Sequence, residues 1–229
     1  MKYTFNEHYF DTINTLDKAY WLGFIWADGY VCKRCRKGNN IEYSLKLSLS
    51  EIDSAHLEKF KSYLKSNHNV LFYNTNNTTF LSNAKEARLG ICNKYFGKIL
   101  YEQYNIVPFR TDFSKIIQQV PQQFYADLIR GIFDGDGSFS QYKYHNYNKL
   151  NVTFGGTESV LRFIEKQISP NAVHKLYRRH KEADGNWRSL CYTGVSQGMR
   201  ILDYLYKDAT IYLNRKYQKY LQYKQQLQQ

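Results

Sequence analysis

The stretch LIRGIFDGDGSF (128–139) joins an apolar, helix-like pattern to two aspartates set among glycines. An earlier stretch, YWLGFIWADGYV (20–31), aligns with it without gaps. The alignment places Asp28 on Asp136, an offset of 108 residues, which is about half the chain. A repeat on this scale indicates two structural units of the same design.

The segments that follow each copy also run in parallel. The first copy is followed by EYSLKLSLS (42–50), HLEKFKSYL (56–64), NVLFYN (69–74), EARLGIC (86–92) and KYFGKILYEQY (94–104). The second is followed by KLNVTF (149–154), SVLRFIEKQI (159–168), AVHKLYRRH (172–180), WRSLCYT (187–193) and SQGMRILDYLY (196–206). Alternating and helical periods succeed one another in the same order. The sequence therefore predicts an α+β fold of two αββαββα halves, residues 1–112 and 113–229.

The helices that lead into the two motifs share a face that narrows to small residues. Its positions are Leu16, Tyr20, Gly23 and Ala27 in the first helix and Phe124, Leu128, Gly131 and Gly135 in the second, with Pro121 in the first turn of the latter. Small residues at helical spacing allow two helix backbones to approach closely. We expect the two helices to pack together through this face.

Such packing would bring Asp28 and Asp136 out side by side, at the negative ends of two helix dipoles. Two carboxylates in that position require a compensating cation, and oxygen ligands suit Mg²⁺. Glycine after each aspartate permits a sharp exit from the helix. One copy alone would favour an ordinary helix-ending turn with a solvated carboxylate, whereas two matched copies favour a metal site.

The charge balance predicts a nucleic-acid partner. The chain has 32 Lys and Arg against 20 Asp and Glu, a formal net charge of +12. An excess of this size is typical of proteins that bind a polyanion. Two strands also alternate strictly, and their polar faces could read a DNA groove by hydrogen bonds. These faces contain Glu42, Ser44, Lys46, Ser48 and Ser50 in one strand and Lys149, Asn151 and Thr153 in the other.

Further basic residues are candidates for phosphate contact rather than chemistry. Lys33, Arg34, Arg36 and Lys37 are expected in a loop after the first motif, Arg88 and Arg188 in later strands, and Arg178 and Arg179 as a pair.

Other classes of protein are disfavoured. No stretch approaches the roughly 18 apolar residues of a membrane span, and MKYTFNEHYF at the start lacks the apolar core of a signal peptide. We therefore expect an intracellular protein, in the cytoplasm or nucleoid or in an organelle. Cys32 and Cys35 form a CxxC pair, but Cys92 and Cys191 stand alone, so reduced thiols are expected rather than a zinc site.

The paired motifs WLGFIWADG (21–29) and IRGIFDGDG (129–137) resemble the nonapeptide of the LAGLIDADG homing endonucleases. The two-copy layout is similar to the single-chain, pseudosymmetric branch of that family. The segments IVPFRTDF (106–113) and ATIYLNRKY (209–217) extend the resemblance. The chain departs from the consensus at Trp26, where the nonapeptide has its first Asp, a position that is not the catalytic acid.

The resemblance implies a saddle of antiparallel sheets over the DNA major groove, around two central packed helices. It implies that Asp28 and Asp136 bind divalent ions, assisted by the backbone carbonyls of Ala27 and Gly135. Mg²⁺ is the expected cofactor, with Mn²⁺ or Ca²⁺ as other ions that bind. The implied activity is a staggered double-strand break made by a monomer.

The resemblance also implies a lysine in each half that stabilises charge or polarises the water. Lys216, with Arg215 beside it, occupies that place in the second half, and Arg110 occupies it in the first. Because arginine cannot act as a base, the first site would rely on charge stabilisation alone. Phosphate contact or a surface salt bridge remains an alternative role for all three. Asp134, the counterpart of Trp26, is expected to be structural or to support the metal ligands.

Two other functions stay open on the same scaffold. One is an RNA maturase that binds its own intron RNA, and the other is a DNA-binding regulator without catalysis. Both aspartates are retained, which favours the nuclease.

Overall fold

The computed structural model describes most of the chain. The described residues are 3–36, 38, 40–75, 84–110, 112–145, 147–168, 174–178 and 187–227, with backbone alone for 75, 84, 144, 147 and 174–178. Lys37 and Arg179 therefore lie outside the described residues, as does the side chain of Arg178. The chain forms two compact units, one of Met1–Ile13 and Asp28–Arg110 and one of Asn14–Ala27 and Thr111–Gln229. The predicted boundary between residues 112 and 113 stays a prediction.

Helix α1 (Leu16–Asp28) belongs to the second unit up to Ala27 and ends at the boundary with the first. The first unit then contains β1 (Gly29–Arg36), β2 (Asn40–Ser50), α2 (Ser54–Tyr63), β3 (Leu71–Thr75), β4 (Ala84–Cys92) and α3 (Lys94–Lys98).

The second unit follows with a longer series of elements. These are α4 (Ser114–Gln119), α5 (Tyr125–Asp136), β5 (Gly137–Tyr144), β6 (Tyr147–Thr157), α6 (Glu158–Ile168), β7 (His174–Arg178), β8 (Trp187–Thr193), α7 (Val195–Tyr206) and α8 (Asn214–Gln226).

The two sheets have the same topology. Their strand orders are β1-β2-β4-β3 and β5-β6-β8-β7, and every neighbouring pair is antiparallel. In both halves a motif helix leads into two strands, a helix, two strands and a helix. The predicted α+β class and the αββαββα order are confirmed.

The alternation predicted for β2 is confirmed as well. Tyr43, Leu45 and Leu47 are buried, while the polar residues between them stay half-exposed. In β6 the side chains of Leu150, Val152 and Phe154 are likewise buried, next to half-exposed polar neighbours. Each sheet therefore packs one face into a core and keeps a polar face outside.

Helices α1 and α5 pack within the second unit through the predicted small residues. A Cβ added to Gly23 would collide with the carbonyl oxygen of Leu128. One added to Gly131 would collide with the carbonyl of Tyr20 and lie 2.8 Å from the amide of Phe24. The two backbones thus touch directly, at positions where only glycine fits.

Three local expectations were wrong. Lys33–Arg36, expected in a loop, lie in β1, because the alternation of the hairpin continues through them. Pro121 precedes a 3₁₀ turn at Gln122–Phe124 instead of lying in the first turn of α5. The segment 94–104, read as one helix, changes from α3 to a π-helical turn at Ile99–Gln103. Among the described residues, no helix is both long enough and apolar enough to cross a membrane.

Candidate catalytic site and nucleic-acid face

The second motif ends in a tight junction between α5 and β5. Asp136 is the last residue of the helix and is half-buried, and the amide of Gly137 donates to the carbonyl of Phe133. A Cβ on Gly137 would collide with the ring of Phe133. Glycine is therefore required here for space, and the turn presents Asp136 at the carbonyl end of the helix.

A buried lysine occupies this helix end. Lys216, in α8, is only 6% exposed. Its ammonium donates hydrogen bonds to the carbonyls of Phe133 (2.6 Å), Asp134 (2.7 Å) and Gly137 (2.5 Å). The carbonyl oxygen of Gly135 lies 3.5 Å away. The last carbonyls of a helix lack partners within the helix and carry its negative dipole end. Lys216 satisfies them and places a positive charge beside the motif.

Two side chains of α5 hold the segment that precedes Lys216. Arg130 donates from Nε to the carbonyl of Ile211 (2.8 Å), and Asp134 accepts from the amide of Leu213 (2.7 Å). Because Arg130 and Asp134 are four residues apart, they lie on one face of the helix. Together they bind the backbone of Ile211 and Leu213, just before α8, and so position the start of that helix.

Asp134 itself is buried, at 2% exposure, among three donors. Its carboxylate accepts from the hydroxyls of Tyr20 (2.7 Å) and Tyr206 (2.5 Å) in addition to the amide of Leu213. Burial raises the pKa of the Asp134 carboxyl, while the charge of Lys216 and these hydrogen bonds oppose that rise. Burial and the nearby carboxylate raise the pKa of both tyrosines. Asp134 thus connects α1, α5, α7 and the start of α8.

A small pocket opens beside this helix end. It has a volume of about 170 Å³ and is lined by Gly135, Gly137, Ser138, Phe139, Arg215, Lys216 and Lys219. Arg215 is exposed, whereas Lys219 is half-buried and donates to the carbonyl of Phe139 (2.5 Å). Burial, together with the charge of Arg215, lowers the pKa of the Lys219 ammonium. Three cationic side chains therefore meet the backbone of the motif at a pocket large enough for a phosphate group.

The first motif ends in a comparable way. Asp28 is the last residue of α1 and is half-buried, as is Ala27 before it. Gly29 is buried and starts β1 opposite Leu47. Arg110, in the same unit as Asp28, donates to the carbonyl of Val107 at 3.4 Å. Across the described residues, no group of three or more His, Cys, Asp or Glu side chains could enclose a metal ion. Any ion at Asp28 or Asp136 would therefore need backbone, water or phosphate oxygens.

The polar face of the first sheet carries seven of the predicted DNA-binding residues. Residues directly opposite in an antiparallel pair share a face, so the register places Arg34, Arg36, Glu42, Ser44, Lys46, Ser48 and Arg88 together. A surface groove of about 550 Å³ runs along this face between Tyr30, Lys46, Ser48, Tyr73, Glu86 and Arg88. Lys33 lies on the opposite face, with its ammonium over the rings of Tyr43 (5.6 Å) and Tyr101 (5.5 Å).

The second sheet has a polar row without acidic residues, formed by Lys149, Asn151, Thr153 and Thr193. Asn151 donates to Thr153 at 3.3 Å and accepts from Thr193 at 3.0 Å, and Lys149 continues the row. Arg188 pairs with Gly156, so it belongs to the row that contains Val152 and Phe154 and not to the polar row. It donates to the carbonyl of Trp187 (3.2 Å).

Comparison with known proteins identifies the architecture. Neither a scan against protein-family models nor a search of curated proteins finds a match. Solved structures do match. Meganuclease I-SmaMI bound to uncleavable DNA aligns with a TM-score of 0.59 at 15% identity, over 90% of this chain and 88% of that one. LAGLIDADG meganuclease I-AabMI bound to uncleaved DNA gives 0.56 at 14% identity, over 90% and 88%. The LAGLIDADG homing endonuclease I-SmaMI bound to cleaved DNA gives 0.55 at 14% identity, over 93% and 89%.

The chain has the LAGLIDADG endonuclease fold. The sequence analysis identifies Lys216 and Arg215 as candidate site residues, but not Lys219 or Arg130. Lys219 was missed, although its spacing of three residues from Lys216 in NRKYQKY puts both on one helix face. The grip of Arg130 on the segment before α8 was missed too, because nothing in the sequence relates it to residues some 80 positions later.

Proposed function

We propose that this chain is a site-specific homing endonuclease that makes a metal-dependent, staggered double-strand break in a long DNA target. The observation that carries the proposal is the burial of Lys216 against the acid-tipped end of α5. Its support is the fold shared with I-SmaMI and I-AabMI, which were solved on DNA. The ammonium of Lys216 satisfies the last carbonyls of α5 and also places a positive charge beside the motif, where it would stabilise a bound phosphate.

The donor set at this helix end fits a divalent cation. The carbonyls already attract one cation, the ammonium of Lys216, and the carboxylate of Asp136 with the carbonyl of Gly135 adds hard oxygen ligands. We propose Mg²⁺, with Mn²⁺ or Ca²⁺ as other ions that bind; one I-SmaMI structure was solved with calcium ions present. When bound, such an ion would activate a water molecule and neutralise charge on the phosphate.

The chain's own residues would do the remaining work. One ion would be bound by the carboxylate of Asp136 and the carbonyl of Gly135. The other would be bound by the carboxylate of Asp28 and the carbonyl of Ala27. Lys216 would stabilise the negative charge that develops on the phosphate, and Arg215 and Lys219 would orient the phosphate in the pocket. Arg110 would contribute charge alone in the other half.

The polar faces of the two sheets would bind the duplex. The net charge of +12 supports a salt-dependent phosphate contribution, and the polar rows supply donors and acceptors for base edges. We propose that the protein acts as a monomer, because one chain supplies both motifs.

An Asp136→Asn variant tests the proposal, with Asp208→Asn, an exposed residue after α7, as the matched control. The probe is a plasmid library carrying randomised duplex inserts, incubated with Mg²⁺. We expect the wild type and the control to linearise a subset of plasmids, and Asp136→Asn to bind the same inserts without cutting. Equal cutting by Asp136→Asn would remove the assignment. Wild-type binding without cutting would favour the regulator, and selective binding of structured intron RNA over duplex would favour the maturase.

A further inference from the structure

In the described part of the chain, strands β1 to β8 contain two acidic residues, Glu42 in β2 and Glu86 in β4. Both lie on the polar face of the first sheet, and both pair with an arginine there. Arg36 donates to Glu42 from Nε (2.9 Å) and Nη2 (3.3 Å). Arg88 donates to Glu86 from Nε (2.9 Å) and Nη2 (2.7 Å). The two pairs have the same side-on geometry.

This geometry fixes which part of each guanidinium faces a ligand. The carboxylate takes the edge formed by Nε and Nη2, so the edge formed by Nη1 and Nη2 points away from it. The ring of Tyr73 stacks on Arg88, with 4.6 Å between the guanidinium carbon and the ring centroid. The arginine pairs lower the pKa of both glutamates, which keeps the carboxylates ionised near neutral pH. Each arginine is thus held in one orientation before any ligand arrives.

The charge of these pairs argues against phosphate as their ligand. Each arginine is neutralised by its glutamate, and a carboxylate beside a phosphate would repel it. Guanine N7 and O6, by contrast, are uncharged acceptors that match two parallel N–H donors, and arginine to guanine is the commonest specific contact in the major groove.

We propose that Arg36 and Arg88 each recognise a guanine base through the outer edge of a guanidinium held by Glu42 and Glu86. This inference rests on the proposed function, since it assumes that the sheet face binds duplex DNA.

The strand register gives the spacing of the two guanines. Asn40, the partner of Arg36, and Ser48, the partner of Arg88, are eight residues apart on β2. At a rise of about 3.3 Å per residue this separation is about 26 Å, which corresponds to about eight base pairs at 3.4 Å each. The second sheet has no counterpart, because β5 to β8 contain no Asp or Glu. The two guanines should therefore fall in one half of the target only.

Selection from a randomised duplex library, with Ca²⁺ in place of Mg²⁺ so that binding is read without cleavage, tests the inference. The wild type should enrich sites with two guanines about eight base pairs apart in one half-site. Arg36→Gln should erase the preference at one of them and Arg88→Gln at the other, each by about tenfold or more. Glu86→Gln should weaken the choice of guanine at its position while raising overall affinity, because it removes a negative charge.

Arg162→Gln provides the control, since Arg162 is an exposed arginine that pairs with Glu165 (3.0 Å) on helix α6, outside the polar faces of the sheets. It should leave every preference unchanged. If Arg36→Gln and Arg88→Gln instead weaken all sites equally and flatten the salt dependence, the arginines contact phosphate and the inference fails while the proposed function stands. If the wild type enriches no duplex, both fail.

Discussion

The ammonium of Lys216 lies 2.7 Å from the carbonyl oxygen of Asp134, and the carboxylate of the same aspartate accepts the amide of Leu213, three residues before that lysine. Asp134 therefore contacts both ends of the short segment from Leu213 to Lys216. The contacts that position Lys216 can therefore be tested by substitutions other than the one that tests its proposed role in cutting.

Lys216→Met should stop the cutting of one DNA strand more than the other. The variant keeps the bulk of the buried stem but removes the charge beside Asp136, so the rate for that strand should fall at least about 100-fold. Single-turnover assays with each strand labelled should show nicked product accumulating. Lys207→Met, at an exposed turn, should cut both strands normally. Equal slowing of both strands by Lys216→Met would contradict a role confined to one site.

Gly131→Ala should destabilise the protein by about 3 kcal/mol, because the added methyl group meets the backbone of α1 rather than a movable side chain. Urea denaturation followed by circular dichroism measures the change. Gly90→Ala is the matched control, since a Cβ there meets nothing within 4 Å. It should change the free energy of unfolding by no more than about 0.5 kcal/mol. Equal effects of the two substitutions would argue against close packing of α1 on α5.

Asp134→Asn should lower the free energy of unfolding by about 2 kcal/mol. An amide offers one acceptor oxygen where the carboxylate satisfies three donors, so at least one buried donor loses its partner. In a cycle with Tyr206→Phe, the double variant should lose about 1 kcal/mol less than the sum of the single variants, because both remove the same hydrogen bond. Full additivity would show that the contact contributes little.

Acid should weaken the packing of the N-terminal segment through His68. Its ring is buried, stacked on Tyr3 at 4.4 Å and edge-on to Phe5, and burial lowers its pKa. In the unfolded chain His68 takes up a proton near pH 6.5, whereas in the folded chain it does so only at lower pH. The free energy of unfolding therefore decreases as the pH falls from 6.5 through the pKa of His68 in the folded chain.

The melting temperature of the wild type should accordingly drop more between pH 7 and pH 5 than that of His68→Phe, which cannot take up a proton. His145→Asn, at an exposed turn, should follow the wild type. Parallel curves for the wild type and His68→Phe would show that His68 titrates as freely in the folded chain as in the unfolded one.

The repeat was the part of the fold that sequence could predict. Two matched motifs imply two matched units, and a strict period of two is enough to assign the faces of β2 and β6. The small residues Gly23 and Gly131 even identified the helix contact, because glycine at helical spacing has few other uses. These signals are local or repeated, so one sequence is sufficient to read them.

The rest depended on contacts between distant segments. Arg130, Leu205 and Ile211 come together only because α7 brings the chain back to α5. The arginine–glutamate pairs depend on the strand register, which the alternation leaves undetermined by multiples of two residues. The convergence of Asp28 and Asp136 on a shared site remains a prediction.

The membership of α1 in the second unit has a consequence for how such genes can be recombined. A chimera with its breakpoint near residue 112 would pair Tyr20 and Gly23 from one parent with Asp134 and Gly131 from the other. The two sides of the contact between α1 and α5 would thus come from different parents. Shuffled libraries should yield folded proteins mainly when residues 14–27 are exchanged along with the C-terminal half.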